Sequence, residues 1–206
     1  MSLHSAIQLV SWKNESVRPK IKPNKRDAIL DAMLDVVVER GFHEAPMSLI
    51  AERSGASAGV IYHHFSSKEE IIQALYGRVR ALKRASLLEG YSPEMDAEEA
   101  FIHVWTNGYH FYRKHLREMR FLEQYETAGF ICQPGEDAQS DKEMAKFERR
   151  FRGQSRGGVL NDLPPEVIYE LTFGVVARLA MQPRKLTPAV LRTVAERMWD
   201  AVRAKD

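Results

Sequence analysis

Residues 46–69 read PMSLIAERSGASAGVIYHHFSSKE, and the spacing inside this stretch decides the fold. Ala51 is small where two crossing helices need room, and Gly55 follows four residues on, where a left-handed backbone costs little without Cβ. Ser57 has the oxygen to cap a second helix by accepting an amide hydrogen bond. Ile61, with Ile50 and Val60, fills the wedge between the two. The order Ala-x3-Gly-x5-Ile therefore predicts two short helices, about 46–54 and 58–64, meeting at a steep angle across a tight turn. The same spacing also serves a plain αα-corner with no nucleic-acid role.

The residues after the corner favour an anionic partner. Tyr62 can offer its hydroxyl to a phosphate while its ring packs on the helix pair. Lys68 opens the next helix beside free backbone amides, which suits a phosphate oxygen. Phe65 reads as core. Working outward, Asn24 is a good N-cap for a first helix to Arg40, with Ile29, Leu30, Met33, Leu34 and Val37 as its buried stripe and Gly41 as a left-handed stop. Ser67 with Glu70 forms a capping-box signature for a helix from Lys68 to about Leu88, whose core face is Ile71, Ile72, Leu75, Val79 and Leu82. Gly90–Pro93 marks a seam. Further helices are expected at about 96–115, 117–128, 141–155, 165–181 and 187–203, with 129–140 as the loosest stretch. No period-two alternation suggests a strand. The fold class is all-α, with a flexible basic arm at 1–23, a head with its linking helix at 24–88, and a helical body at 89–206.

Three segments together, 41–45 (GFHEA), 50–57 (IAERSGAS) and 59–69 (GVIYHHFSSKE), resemble the amino-terminal domain of the TetR family of transcriptional repressors. The resemblance covers about residues 24–75. Residues 120–125 (RFLEQY) and the Gly158-Val159 turn before Leu163-Pro164-Pro165 are similar to segments of many members. It implies a three-helix DNA-binding head, a linking fourth helix, and a body that holds a small-molecule pocket and pairs with a second subunit through its last two long helices. By position it makes 58–64 the recognition helix, with Ser57, Ala58, Gly59 and Val60 towards base edges and Tyr62, His63 and Lys68 on phosphates. The sequence departs from the family where Ala58 and Val60 replace longer or polar side chains; they can touch thymine methyls but cannot read guanine by paired hydrogen bonds. Ala45-Pro46 stands where Thr-Thr is frequent, leaving Ser48 as the replacement phosphate contact. Specificity is then expected to lean on the arm, with Arg18, Lys20, Lys22, Lys25 and Arg26, and on DNA shape.

In the body, Phe101, Trp105, Tyr109 and Tyr112 recur at near-helical spacing, and Phe121, Tyr125, Phe130, Phe147 and Phe151 can complete an aromatic-lined cavity. Ordinary core packing is the competing reading for each. Buried Trp105, Tyr109 and Tyr125 need polar partners, which a pocket can supply. The expected effector is apolar or aromatic. The final helices carry Ile168, Leu171, Val175, Val176 and Leu179, then Val190, Leu191, Val194, Met198 and Val202, with Gly174 permitting close helix approach. This suits a four-helix homodimer seam; alternatively both helices simply cover the pocket.

Composition sets the outer limits. The 206 residues are 44% hydrophobic and 28% charged, which suits globular domains. Residues 1–86 hold 13 Lys+Arg against 9 Asp+Glu and the remainder 17 against 19, so a polyanion is expected to meet the first third. No run approaches the roughly 20 apolar residues of a membrane span, and Met1–Trp12 makes a poor signal peptide. One cysteine, Cys132, suits a cytoplasmic setting. The seven histidines show no zinc spacing, and no cofactor motif is present. His110, His115 and Glu118 lie near one another, yet no nucleophile–base pair or phosphate loop marks an enzyme. The expected function is a dimeric regulator that binds duplex operator DNA and is released by a small-molecule effector. The alternative is a protein-interaction module or coactivator on the same scaffold.

Overall fold

The structure, a computed structural model, describes residues 24–128 and 142–205. The basic arm at 1–23 and the whole 129–140 stretch, Phe130 included, therefore lie outside the described residues. Among those described, helices account for the architecture and the only extended pairings are isolated bridges, Gly153 with Leu160 and Leu160 with Arg203.

Helix α1 (Lys25–Arg40) starts where Asn24 Oδ1 accepts the Arg26 amide at 3.2 Å. It stops at Gly41, whose φ of 82° is positive but whose ψ of 172° is extended rather than the expected left-handed turn. Helices α2 (Met47–Ser54) and α3 (Ala58–His64) follow, then α4 (Lys68–Leu87). The Ser67 hydroxyl caps α4 by accepting the Glu70 amide at 3.1 Å. The reciprocal half of the expected capping box is shifted by one residue. Glu70 Oε2 accepts from the Ser66 amide and hydroxyl instead, at 2.5 and 2.6 Å, and these bonds hold its carboxyl below the usual range. Leu82, expected in the core, is exposed.

The first core joins Ile29, Leu30, Met33, Ile50, Ile61 and Leu75, each fully buried. Burying one such side chain stabilises by about 1.5–3 kcal/mol. Helix α6 (Leu116–Thr127) also enters this core through Phe121, Leu122 and Tyr125. Residues from beyond the Gly90–Pro93 seam thus contribute to the core of the head.

Helix α5 (Ala97–Lys114) is the axis of the body. Its Phe101, Trp105 and Tyr112 pack with Val176, Leu191, Ala195 and Trp199 in the second core. Around it stand α7 (Lys142–Arg150), α8 (Pro165–Tyr169), α9 (Val175–Ala180) and α10 (Pro188–Val202). The single helix expected over 165–181 is interrupted between α8 and α9 by a wide π turn at Glu170–Gly174. Thr172 supplies a cause, because its hydroxyl takes the Ile168 carbonyl at 2.7 Å and competes with the backbone for it.

Candidate DNA-reading face and effector cavity

The α2–α3 corner is built as the spacing predicts. Gly55 is left-handed (φ 60°, ψ 26°), and its amide reaches the Ala51 and Glu52 carbonyls. Ser57 accepts the Val60 amide at 3.4 Å, and Ile61 is fully buried between the helices. A paired bridge from Arg53 to Glu39, at 2.8 and 2.6 Å, fastens α2 to α1. That guanidinium holds the Glu39 carboxyl below its ordinary range.

On the outer side, Ser48, Ser57, Ala58, Gly59, Tyr62 and His63 are exposed, with Tyr62 at 57%. Val60 is only partly exposed and leans on the head core, which limits its reach to a base edge. Each of the three cations expected at DNA also has a partner inside the head. Lys25 Nζ donates to the Gly55 carbonyl at 3.0 Å, bracing the turn. The Arg26 guanidinium lies 5.1 Å from the Phe65 ring centroid. Lys68 Nζ donates to the Phe42 carbonyl at 2.7 Å. These three contacts brace the head from within.

Within the body a cavity of about 510 Å³ is lined by Phe101, Trp105, Phe147 and Phe151, as expected, and by Ile168, Tyr169, Thr172 and Phe173. Helix α5 and the π turn form facing walls, joined where Trp105 Nε1 donates to the Thr172 carbonyl at 3.2 Å. Tyr109 does not line the cavity. Its hydroxyl accepts the Leu186 amide at 3.0 Å, so its polar tip is satisfied by backbone and not by a ligand.

Phe121 and Tyr125 also lie elsewhere. They meet Phe42 of the head at ring-centroid distances of 5.6 and 6.2 Å, and Tyr125 stacks on Tyr76 of α4 at 4.1 Å. These four rings form the junction of head and body, because α6 turns this face towards α1 and α4.

Two family models divide the chain between them. The model for bacterial regulatory proteins of the tetR family matches residues 29–75, and the tetracyclin repressor-like C-terminal domain matches 97–203. The chain belongs to the TetR family. It is a transcriptional regulator with a helix-turn-helix DNA-binding domain. An uncharacterized HTH-type transcriptional regulator of Haemophilus influenzae is 22% identical over 185 residues, covering 88% of this chain and 97% of that one. The regulator UidR of Escherichia coli K12 is 46% identical over 61 residues, 29% of this chain and 31% of its own. A TetR family regulator from Marinobacter aquaeolei VT8 shares the fold with a TM-score of 0.77 at 19% identity, covering 88% of this chain and 96% of that one. A putative one from Vibrio parahaemolyticus does so at 0.72 and 24%, covering 88% and 100%.

In this TetR-family body the residues expected at a dimer seam divide into two groups. Leu171 is 39% exposed, and Val167 and Val190 are exposed as well. Val175, Leu179, Val194 and Met198 are partly buried against the body core. Leu191 is 2% exposed and faces inward with Ala195 and Trp199, so its neighbour Val190 takes the outer position. Ile168 lines the cavity. At Gly174 the space a Cβ would take is filled by the end of the exposed Glu170 side chain, with Oε2 2.5 Å away. The π turn was missed from sequence; its one local signal is Thr172 followed by Phe173-Gly174 inside an otherwise regular helix. No helix of the described residues is long and apolar enough to cross a membrane.

Proposed function

We propose that the chain is a repressor that binds duplex operator DNA as a homodimer and leaves it when a small, largely apolar effector fills the body. The observation that carries this reading is the aromatic cavity between α5 and the π turn, whose volume of about 510 Å³ suits a drug-sized ligand. Ser48, Ser57, Ala58, Gly59, Tyr62 and His63 are the residues facing the duplex. Val167, Leu171, Val190 and Val194 begin the dimer face, with Val175, Leu179 and Met198 behind them. Two-fold pairing puts the recognition helices in successive major grooves about 34–36 Å apart. Effector in the cavity favours a head separation that fits DNA poorly, transmitted through α4 and the Phe42–Phe121–Tyr125–Tyr76 junction. The division into a head with linking helix and a ligand-binding body belongs to the same proposal.

The test is a titration of candidate effectors into a labelled complex of the protein with a selected DNA fragment. Release that follows cavity occupancy is the expected outcome. Occupied cavity with unchanged DNA affinity contradicts the switch.

A further inference from the structure

A second cavity of about 380 Å³ adjoins the first, and the linking helix forms one of its walls through Tyr76, Arg80, Lys83, Arg84 and Leu87. Val104, Phe147, Glu148, Tyr169 and Phe173 line both spaces, so the two are neighbouring chambers. Their charges differ in placement. In the first, Glu148, Arg152 and Arg156 are all exposed side chains. In the second, among the described residues, Arg80, Lys83 and Arg84 of the linking helix line the space together with Glu126 and Glu148.

Lys83 is the distinctive member. Its Nζ stands 5.4 Å from the Tyr112 ring centroid and 5.9 Å from that of Tyr169. The Tyr112 and Tyr169 hydroxyls are 3.5 Å apart and face each other. Among the described residues no acceptor lies within hydrogen-bond or ion-pair distance of this half-buried ammonium. Two ring faces stabilise a cation but leave its three N–H donors without lone pairs to meet. Burial and the nearby Arg80 charge pull the Lys83 pKa down, with Glu126 opposing.

We infer that the effector is an amphipathic monoanion, its apolar body among Phe101, Trp105 and Phe147 and its carboxylate on Lys83 Nζ in the second chamber. The inference rests on the effector reading above and adds the ligand's charge. The single Lys83 ammonium, held over two ring faces, matches a single negative charge, which favours a carboxylate over a phosphate dianion. The reverse orientation, with the head at Arg152 and Arg156, places the charge pair in solvent, where it gains little. Lys83 also gives the charge a purpose: it lies on α4, so the helix that carries the head senses the anion directly.

The test compares decanoate, decan-1-ol and decyltrimethylammonium binding to the intact protein at pH 7.5, by calorimetry and by Trp105 fluorescence. A charge-assisted hydrogen bond in a partly desolvated site predicts that decanoate binds about tenfold or more tightly than decan-1-ol, with the cation weakest. Lys83→Met brings decanoate down to the alcohol's affinity, Lys83→Arg retains the preference, and the double change Arg152→Met with Arg156→Met retains it too. Equal binding of acid and alcohol overturns the inference while leaving the effector cavity standing. A preference that survives Lys83→Met, or that disappears with Arg152 and Arg156, also overturns it. Failure of all three ligands to bind removes the effector reading and the inference together.

Discussion

Replacing Tyr125 with alanine separates the junction described here from a cavity wall. The Tyr125 side chain is 3% exposed, stacks on Tyr76 at 4.1 Å with rings 15° apart, and meets Phe42 and Phe121 at 6.2 and 6.1 Å. Truncating a buried aromatic to alanine costs about 3–5 kcal/mol, of which an aromatic pair supplies about 0.5–1.5 kcal/mol beyond burial. Against a total stability of about 5–15 kcal/mol, that is a large fraction. With a urea dependence near 2 kcal/mol per molar, a loss of about 4 kcal/mol lowers the unfolding midpoint by about 2 M. The assay is urea unfolding followed by far-ultraviolet circular dichroism, with Phe147→Ala as the cavity-wall comparison. The junction predicts that Tyr125→Ala loses stability and weakens the link between effector binding and DNA release, while the cavity keeps its ligand affinity. A loss below about 1 kcal/mol together with reduced ligand affinity would refute the placement and return Tyr125 to the cavity.

Other consequences concern the corner, the head and the cavity. Gly55→Ala introduces no clash, since nothing lies within 4 Å of the added Cβ, so only the left-handed backbone is penalised, by about 1–2 kcal/mol in thermal or urea unfolding, and Gly55→Asn costs less. Gly158→Ala differs in kind: its Cβ would stand 2.2 Å from the Arg152 carbonyl oxygen, so the loop that bridges Leu160 must move, and proteolysis between 151 and 160 should increase. Because Arg53 depresses the Glu39 pKa below its ordinary 4.5, their pairing contributes stability above that value and loses it as pH falls through the folded-state pKa. Glu39→Gln should therefore flatten the acid limb of the stability–pH curve below about pH 4.5. Effector binding should alter Trp105 emission, and Trp105→Phe should abolish that change while Trp199 still reports unfolding.

The head was legible because its signals are local. Gly55, Ser57 and Ser67 each act within four residues of chain, and all three adopt the geometry their spacing demands. The body was legible only in its periodicity. A helical repeat shows that Phe121 and Tyr125 share a face with one another, but not which neighbour that face meets; the head took it. Val190 and Leu191 are both apolar and only one residue apart, so sequence could not choose which points inward. The π turn adds a residue to the register between Tyr169 and Val175, which places Thr172 in the cavity wall and Leu171 at the surface. The cations carry intradomain contacts that sequence could not foresee. Lys25, Arg26 and Lys68 sit where a DNA contact is expected, yet each finds a carbonyl or ring in its own domain.

The central claim, that this head grips duplex DNA, is tested most directly by selecting genomic fragments with the purified protein and measuring affinity for the recovered sites across salt concentrations. The account predicts a shared two-fold-symmetric sequence and a log affinity that falls linearly with log salt, both lost when Tyr62 and His63 are replaced by alanine. Recovery of no common fragment, or binding indifferent to salt and to those two residues, would contradict it and favour a protein-interaction module on the same scaffold.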